Sequence, residues 1–395
     1  MYIYSIYIVF INRMSRHKNK ITTNTLTLKP ILTNEELKKK EGHYFNEDYY
    51  TKHNKIVTTN TDVYGIQPDG THKLLFKFRK NVIPEHICSH AYYALEKHAK
   101  HKNSNRGAAA GKLSLKKLPK HVGQVMKADK FRVFYKTKNG KVSRDNVSNI
   151  AQSNIAGYYD RPDRNMYNHT NTKSQTQTRN KQTKKHKSNS KYKSNTVPMC
   201  RTTQFTKKNV EKWKNTIPLI KAADKLFKKL VPDRYKIQIK RAKQTPDYQI
   251  DNTAYSTITV NYNWRTAAHC DNGDLDEGFG NLIVLEKSKS KSKAKSQDKH
   301  DTNTTKSYTG GYLGFPKWGI CVDVRQGDFL AMDVHEYHCN TPIIGDGRLS
   351  VVCYLRKKMI QCSSFSKKPR QKQDLENPAR KYTAKKVKKR QKYKN

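Results

Sequence analysis

The sequence predicts an α+β chain in which helices precede a set of short antiparallel strands, the strands closing as a sandwich or barrel with helices against one face. Apolar residues recur at helical spacing between Lys207 and Val231, and beyond Pro232 the period drops to two. A third observation bounds how much of the chain takes part. Only 34% of the 395 residues are hydrophobic, too few for a chain of that length to pack throughout.

Val210 and Trp213, three apart, mark a first helix over Lys207–Asn215. Ile217-Pro218 suits the first turn of a second, in which Leu219, Ile220, Ala223, Leu226, Phe227 and Leu230 repeat until Pro232. The alternating segments Thr257–Asn263, Phe279–Glu286, Gly319–Arg325, Asp328–Val334 and Arg348–Arg356 read as strands parted by turns containing Gly and Asp. Residues 41–145 show a mix of short strands and one helix and form an accessory region of unknown fold. The basic segment 1–40, the polar insertions at about 171–196 and 287–308, and the tail 363–395 are expected to be disordered, since they bury too little apolar area to offset chain entropy. The remaining span, 146–362, is the expected main folded domain.

Lys and Arg number 80 against 32 Asp and Glu, for a net charge of +48. The excess is uneven: residues 251–360 hold 14 basic and 13 acidic side chains, whereas 361–395 hold 13 and 2. A near-neutral core wrapped in basic segments points to a nucleic-acid partner, with the Lys runs neutralising phosphates rather than reading bases. Compositional bias toward Lys and Asn is the plain alternative. A polytopic membrane protein is excluded by composition, and the apolar stretch Tyr2–Ile11 is too short to span a bilayer and lacks the marks of a signal peptide. An intracellular location, nuclear or cytoplasmic, is expected. Seven cysteines without CxxC spacing argue for a reduced compartment with neither a disulfide framework nor a zinc ribbon.

Chemistry concentrates around His269-Cys270-Asp271, just past the Thr257–Asn263 strand. In an extended segment residues i and i+2 share a face, so His269 and Asp271 can bind one ion while Cys270 turns away. The triplet alone is weak, since composition predicts about 0.8 of them by chance. Its context adds weight. A turn at Asn272-Gly273-Asp274 and a strand follow, and His338 lies just past the Asp328–Val334 strand. Two imidazoles and one carboxylate make a facial set that leaves positions open on a ferrous ion. Arg348 opens the final strand and can pair bidentately with the far carboxylate of a keto acid, with Ser350 on the same face.

Other residues compete for roles. His335 rivals His338, but three residues apart the two cannot both point inward from an extended strand. Cys270 and Cys339 follow the two histidines, and period two turns both sulfurs away from a zinc site. Asn261 and Asn263 are candidates to hydrogen-bond the keto acid, Arg265 to orient substrate or Asp271, and Asp274 to hold a ligating imidazole. Tyr158, Tyr159 and Trp318 can stack on a flipped base or simply fill the core.

The order H-x-D, H, R resembles the Fe(II)/2-oxoglutarate dioxygenases. NYNWRTAAHCDNGD (261–274), GFGNLIVLE (278–286), GFPKWGICVDVRQGDFLAMDVHEYHCNTPI (314–343) and GRLSVVCYLR (347–356) are similar to the TET/JBP branch, the thymine and 5-methylcytosine oxidases, over roughly Asn149 to Cys362. The resemblance implies a double-stranded β-helix (jelly-roll) core. It also implies His269, Asp271 and His338 as iron ligands, Arg348 as 2-oxoglutarate anchor with the ten-residue gap favouring His338 over His335, and oxidation of a pyrimidine methyl group in DNA. A prolyl or lysyl hydroxylase would carry the same frame, and a non-enzymatic basic DNA-binding protein with a decayed core is the third reading.

Overall fold

The computed structural model describes residues 22–53, 56–143, 145–160, 200–287 and 307–362. Of the stretches expected to be disordered, 171–196, 363–395 and all of 287–308 except Lys287, Ser307 and Tyr308 lie outside the described residues. The chain begins with β1 (Asn24–Leu28), α1 (Asn34–Lys39), α2 (Glu47–His53), β2 (Ile56–Val57), β3 (Thr61–Ile66), β4 (His72–Arg79) and α3 (Glu85–Ala99). A hairpin of β5 (Val122–Ala128) and β6 (Val133–Thr137) precedes β7 (Ser153–Tyr159). Next come β8 (Arg201–Thr202), α4 (Gln204–Lys208), α5 (Val210–Leu230), α6 (Pro232–Ala242), β9 (Thr257–Tyr262) and β10 (Gly280–Glu286). The chain continues through β11 (Tyr308–Gly310), β12 (Leu313–Phe315), β13 (Ile320–Val322), β14 (Phe329–Met332), β15 (Cys339–Asn340), β16 (Ile343–Gly345) and β17 (Arg348–Tyr354).

Nine strands form one large sheet in the order β1-β3-β4-β14-β10-β17-β9-β7-β8, and a smaller sheet runs β15-β12-β13-β2. The two sheets make the double-stranded β-helix, with helices flanking the large one. The core lies on both faces of the large sheet, and β10 shows why. Leu282 and Val284 join the cluster shared with Leu313, Phe315, Ile320 and Val322 of the smaller sheet. Ile283 and Leu285 join the cluster built with α3 and α5, including Tyr92, Leu219 and Phe227. Period-two alternation thus sends successive side chains into two different cores, and a strand buried on both faces reads as a continuous apolar run.

Helix α5 corrects the sequence expectation of two helices meeting at Ile217-Pro218, because it runs through Pro218 without a break. An interior proline costs about 3 kcal/mol. Trp213, Ile217, Ile220, Ala223 and Phe227 form one stripe against the same core on both sides of it, and each large apolar side chain buried gains about 1.5–3 kcal/mol. Burial therefore wins. Upstream, Thr216 Oγ1 donates to the Lys212 carbonyl at 2.9 Å.

Asn24–Leu28 and Asn34–Lys39, placed by composition in a disordered segment, are a strand and a helix. Averaging over a Lys- and Asn-rich stretch hides three leucines: Leu26 and Leu28 pack on the inter-sheet core and Leu37 is buried. Thr33 caps α1, and its own amide donates to Glu36 Oε2 at 2.8 Å. The region 41–145 also feeds the large sheet, since β4 pairs with β14 from Phe329↔Arg79 to Met332↔Phe76. Cys200 and Cys362, 162 residues apart, form a disulfide, contrary to the expectation of none. Their partnership is made in space, and sequence spacing gives no sign of it. Among the described residues no helix is long and apolar enough to cross a membrane.

Candidate active site

His269 and His338 pair across an isolated antiparallel bridge that the sequence shows only as two distant histidines. The His269 amide donates to the His338 carbonyl at 3.1 Å and the His338 amide returns the bond at 3.0 Å. Two residues on, the Asp271 amide donates to Val334 O at 3.0 Å, so the H-x-D segment is extended and His269 and Asp271 share a face. His269 Nε2 lies 3.6 Å from Asp271 Oδ1 and His338 Nε2 lies 3.6 Å from Asp271 Oδ2. The three potential ligand atoms fall within 4.8 Å of one another.

Both imidazoles are oriented by backbone carbonyls. His269 Nδ1 is 2.7 Å from Ala267 O and His338 Nδ1 is 2.9 Å from Glu336 O. A carbonyl can only accept, so each Nδ1 carries the proton and each Nε2 presents a lone pair toward Asp271. Burial, and secondarily the neighbouring His338, pushes the His269 pKa down to about 4, which keeps that ring neutral near pH 7.

Arg348 lines the same cavity, which encloses about 980 Å³. Its side chain is 2% exposed, Nη2 donates to Gly311 O at 3.0 Å, and Nε has no partner among the described residues. Burial pulls its pKa down, Tyr308 and more weakly Glu286 pull it up, and no described carboxylate forms an ion pair with it. A buried guanidinium so left is costly unless an anion completes it. Asn261 and Ser350 stand opposite each other on β9 and β17, with Asn261 Nδ2 donating to Ser350 Oγ at 3.1 Å and Asn261 Oδ1 unpartnered among the described residues. The donor set, two imidazoles and a carboxylate, fits a ferrous ion, and Arg348 with Ser350 fits a dicarboxylate beside it.

The remaining candidates separate. His335 turns away to Asp333, whose Oδ1 lies 3.2 Å from Nδ1. Arg265 does not line the cavity; Nη2 donates to Phe45 O at 2.8 Å and Asn46 Oδ1 at 2.7 Å, and its guanidinium stacks on Tyr44. Asp274 holds neither imidazole, since backbone carbonyls do so, and burial drives its pKa well up. Asn263, in the left-handed region at φ 42°, accepts from the Arg348 amide at 2.9 Å and donates to Asp346, so it pins the start of β17. Cys339 lies 3.1 Å from the Tyr50 hydroxyl, and burial raises its thiol to about 11 and that of Cys270 to about 12. Neither sulfur belongs to the cluster of potential ligand atoms formed by His269, Asp271 and His338, against a zinc site. Trp318 is fully buried and bonds Glu336, Tyr158 packs on Tyr248, and only Tyr159 of the three aromatics borders the cavity.

Sequence reasoning missed Arg106, Arg132 and Arg201, all of which line the cavity. The first two sit in a segment whose strands carry no chemical motif, and only the local excess of basic residues points there.

A double-stranded β-helix that gathers two imidazoles and a carboxylate beside a buried arginine with no ion-pair partner among the described residues defines the class of iron- and keto-acid-dependent oxygenases. Residues 188–357 match the Tet_JBP family, described as the oxygenase domain of the 2OGFeDO superfamily. Over residues 188–357 this chain is thus similar to TET/JBP-like oxygenases, of a superfamily that uses Fe(II) and 2-oxoglutarate. Thymine dioxygenase JBP1 of Trypanosoma brucei brucei is 32% identical over 164 residues, 40% of this chain and 17% of that protein. The bifunctional helicase and thymine dioxygenase JBP2 of Trypanosoma cruzi is 33% identical over 169 residues, 41% of this chain and 13% of that one. The chain therefore spans only these small shares, 17% and 13%, of the length of the two relatives. A solved structure of NgTET1 in complex with 5mC DNA aligns over 83% of this chain and 92% of that chain, with 12% identity and a TM-score of 0.40.

Proposed function

We propose that this chain is an Fe(II)- and 2-oxoglutarate-dependent dioxygenase that oxidises the methyl group of a pyrimidine base, thymine or 5-methylcytosine, in nucleic acid. The observation that carries the reading is the buried Arg348 guanidinium, unpaired by any described carboxylate, in one cavity with His269, Asp271 and His338. The names of the JBP relatives and the basic balance of the chain support the substrate class.

In this reading His269, Asp271 and His338 hold the iron through Nε2, Oδ and Nε2, and Arg348, Ser350 and Asn261 hold the keto acid. When bound, the metal with keto acid and O₂ supplies the oxidising power for a C–H bond. The residues do the positioning. Ala267 O and Glu336 O fix the rings. Gly311 O and the Asn263 side chain fix Arg348. The apolar wall formed by Leu282, Leu313, Met332 and Val352 keeps that part of the cavity dry. A base must leave its stack to reach the ligands, and the cavity is open enough for it beside a keto acid.

Anaerobic titration with Fe(II) and 2-oxoglutarate followed by mass spectrometry of methylated DNA incubated in air tests the reading. Oxidised thymine or 5-methylcytosine is expected. Keto-acid turnover coupled to a peptide, with every DNA base unchanged, would replace it with the protein-hydroxylase reading.

A further inference from the structure

Part of the cavity wall is made by residues that precede the oxygenase region, and there Arg106, Lys130 and Arg132 outnumber Glu41 and Asp129. Arg106 and Arg132 come from different elements, Arg132 from the turn joining β5 to β6. They meet at Gly107, whose φ of +52° no β-branched residue would adopt comfortably. A Cβ there would lie 3.1 Å from Arg132 Nη2, so the missing side chain lets one guanidinium rest against the backbone next to the other arginine. Both guanidiniums line one cavity, and neither is ion-paired to a described carboxylate, although Asp271 acts on Arg106 from farther off.

The arrangement is braced rather than accidental. Ser148 Oγ accepts from the amides of both Arg106 and Gly107, at 3.1 and 3.2 Å. Buried Asn149 donates to Ala110 O at 2.9 Å and Lys112 O at 2.8 Å, and accepts from the Ser114 amide at 2.9 Å. Arg106 Nε is spent on Ser153 O at 3.2 Å, which aims the guanidinium while leaving its outer nitrogens without a partner among the described residues. On the same cavity Arg201 keeps a buried Nε with no described partner, whereas Arg356 is neutralised by Asp160 at 2.8 Å. Guanidiniums set along one cavity wall without an ion-paired partner are stabilised by an anion that arrives with the ligand.

Building on the proposed substrate class, we infer that Arg106 and Arg132 form a phosphate clamp, with Arg201 as a third member, that grips the backbone flanking the extruded nucleotide. The clamp positions the strand while the oxygenase region handles the base. Guanidinium forks suit phosphate oxygens bidentately, and the contact carries no base information.

A coupling cycle on the full, iron-free chain tests this, with fluorescence anisotropy as the readout. The arms are wild type and the R106Q/R132Q variant, each against a methylated oligonucleotide with either native or neutral methylphosphonate linkages flanking the target base. Wild type is expected to lose about tenfold in affinity on neutralisation. The variant is expected to begin about tenfold weaker and to lose no more than about twofold further, the share left to Arg201, and R106K/R132K to regain most of the affinity. Losses that multiply, or a wild type indifferent to the neutral linkages, overturn the clamp. The base-oxidation reading is scored separately by the mass-spectrometric assay above, so DNA that couples to the arginines yet is never oxidised removes that reading and not the clamp.

Discussion

Gly311 and Arg348 are fitted to each other: Gly311 O accepts from Arg348 Nη2 at 3.0 Å, and a Cβ on Gly311 would sit 2.9 Å from Arg348 Nε. The glycine has φ +71°, so a side chain is unwelcome there on backbone grounds as well. Gly311→Ala should therefore displace the guanidinium and raise the 2-oxoglutarate requirement about tenfold while metal binding persists. Isothermal titration of keto acid into the metal-loaded, oxygen-free protein checks it, and an unchanged affinity would show that Arg348 does not need this seat.

Arg348→Gln removes the charge itself. The loss expected is about 1.5–3 kcal/mol of keto-acid binding, because a charge-assisted bidentate pair is replaced by at most one neutral bond. Metal stoichiometry should stay at one. If 2-oxoglutarate dependence is retained, Arg356 becomes the anchor to test, although Asp160 already occupies it.

The histidines separate by partner. His338→Ala should abolish metal binding, because its Nε2 is one of the three clustered ligand atoms. His335→Ala should leave one metal bound, since its ring is committed to Asp333. Metal content after dialysis against Co(II) reads both, and the reverse result would exchange their assignments.

A pH signature accompanies the His335–Asp333 pair. The hydrogen bond from Asp333 raises His335 above its ordinary 6.5. Burial works against ionised Asp333, but His335 and Lys73 outweigh it and hold the carboxyl at about 2. The histidine's share of stability is complete below 6.5 and fades as pH rises through its raised value; the aspartate's is complete above 3.8 and fades as pH falls toward 2. The melting-temperature gap between wild type and His335→Gln should thus be widest between about pH 4 and 6.5. For a partly exposed pair its size is about 0.5–1 kcal/mol. A gap that widens above about pH 8 would contradict it.

Reduction should destabilise the chain through Cys200–Cys362. Closing a long loop typically contributes about 2–4 kcal/mol, so thermal melts with and without reductant should differ in wild type and coincide in Cys362→Ser. Identical wild-type melts would mean that the two thiols are free in solution.

Legibility follows periodicity. β9, β10, β14 and β17 stand out because their alternation is local, and the H-x-D segment because residues i and i+2 share a face whatever surrounds them. The second histidine and Arg348 come from spacing within the resemblance. What stays hidden depends on through-space meetings: Cys200 with Cys362, Arg132 with Gly107, β4 with β14. Arg265 misleads for the complementary reason. A turn residue's direction is set by what packs around it, and here Phe45 and Asn46, far upstream, claim the guanidinium.

The pairing of β4 with β14 carries a practical message for anyone trimming the chain to its family-matched span. Cutting before residue 188 would strip β14 of its neighbour and leave a raw edge of unpaired amides and carbonyls in mid-sheet. It would also take Val63, Phe76 and Phe78 out of the inter-sheet layer, whose rings include Phe76 stacked on Phe315 at 5.1 Å. Such a fragment would clump before it could be assayed, and its silence would be a symptom of a torn sheet, saying nothing about its chemistry.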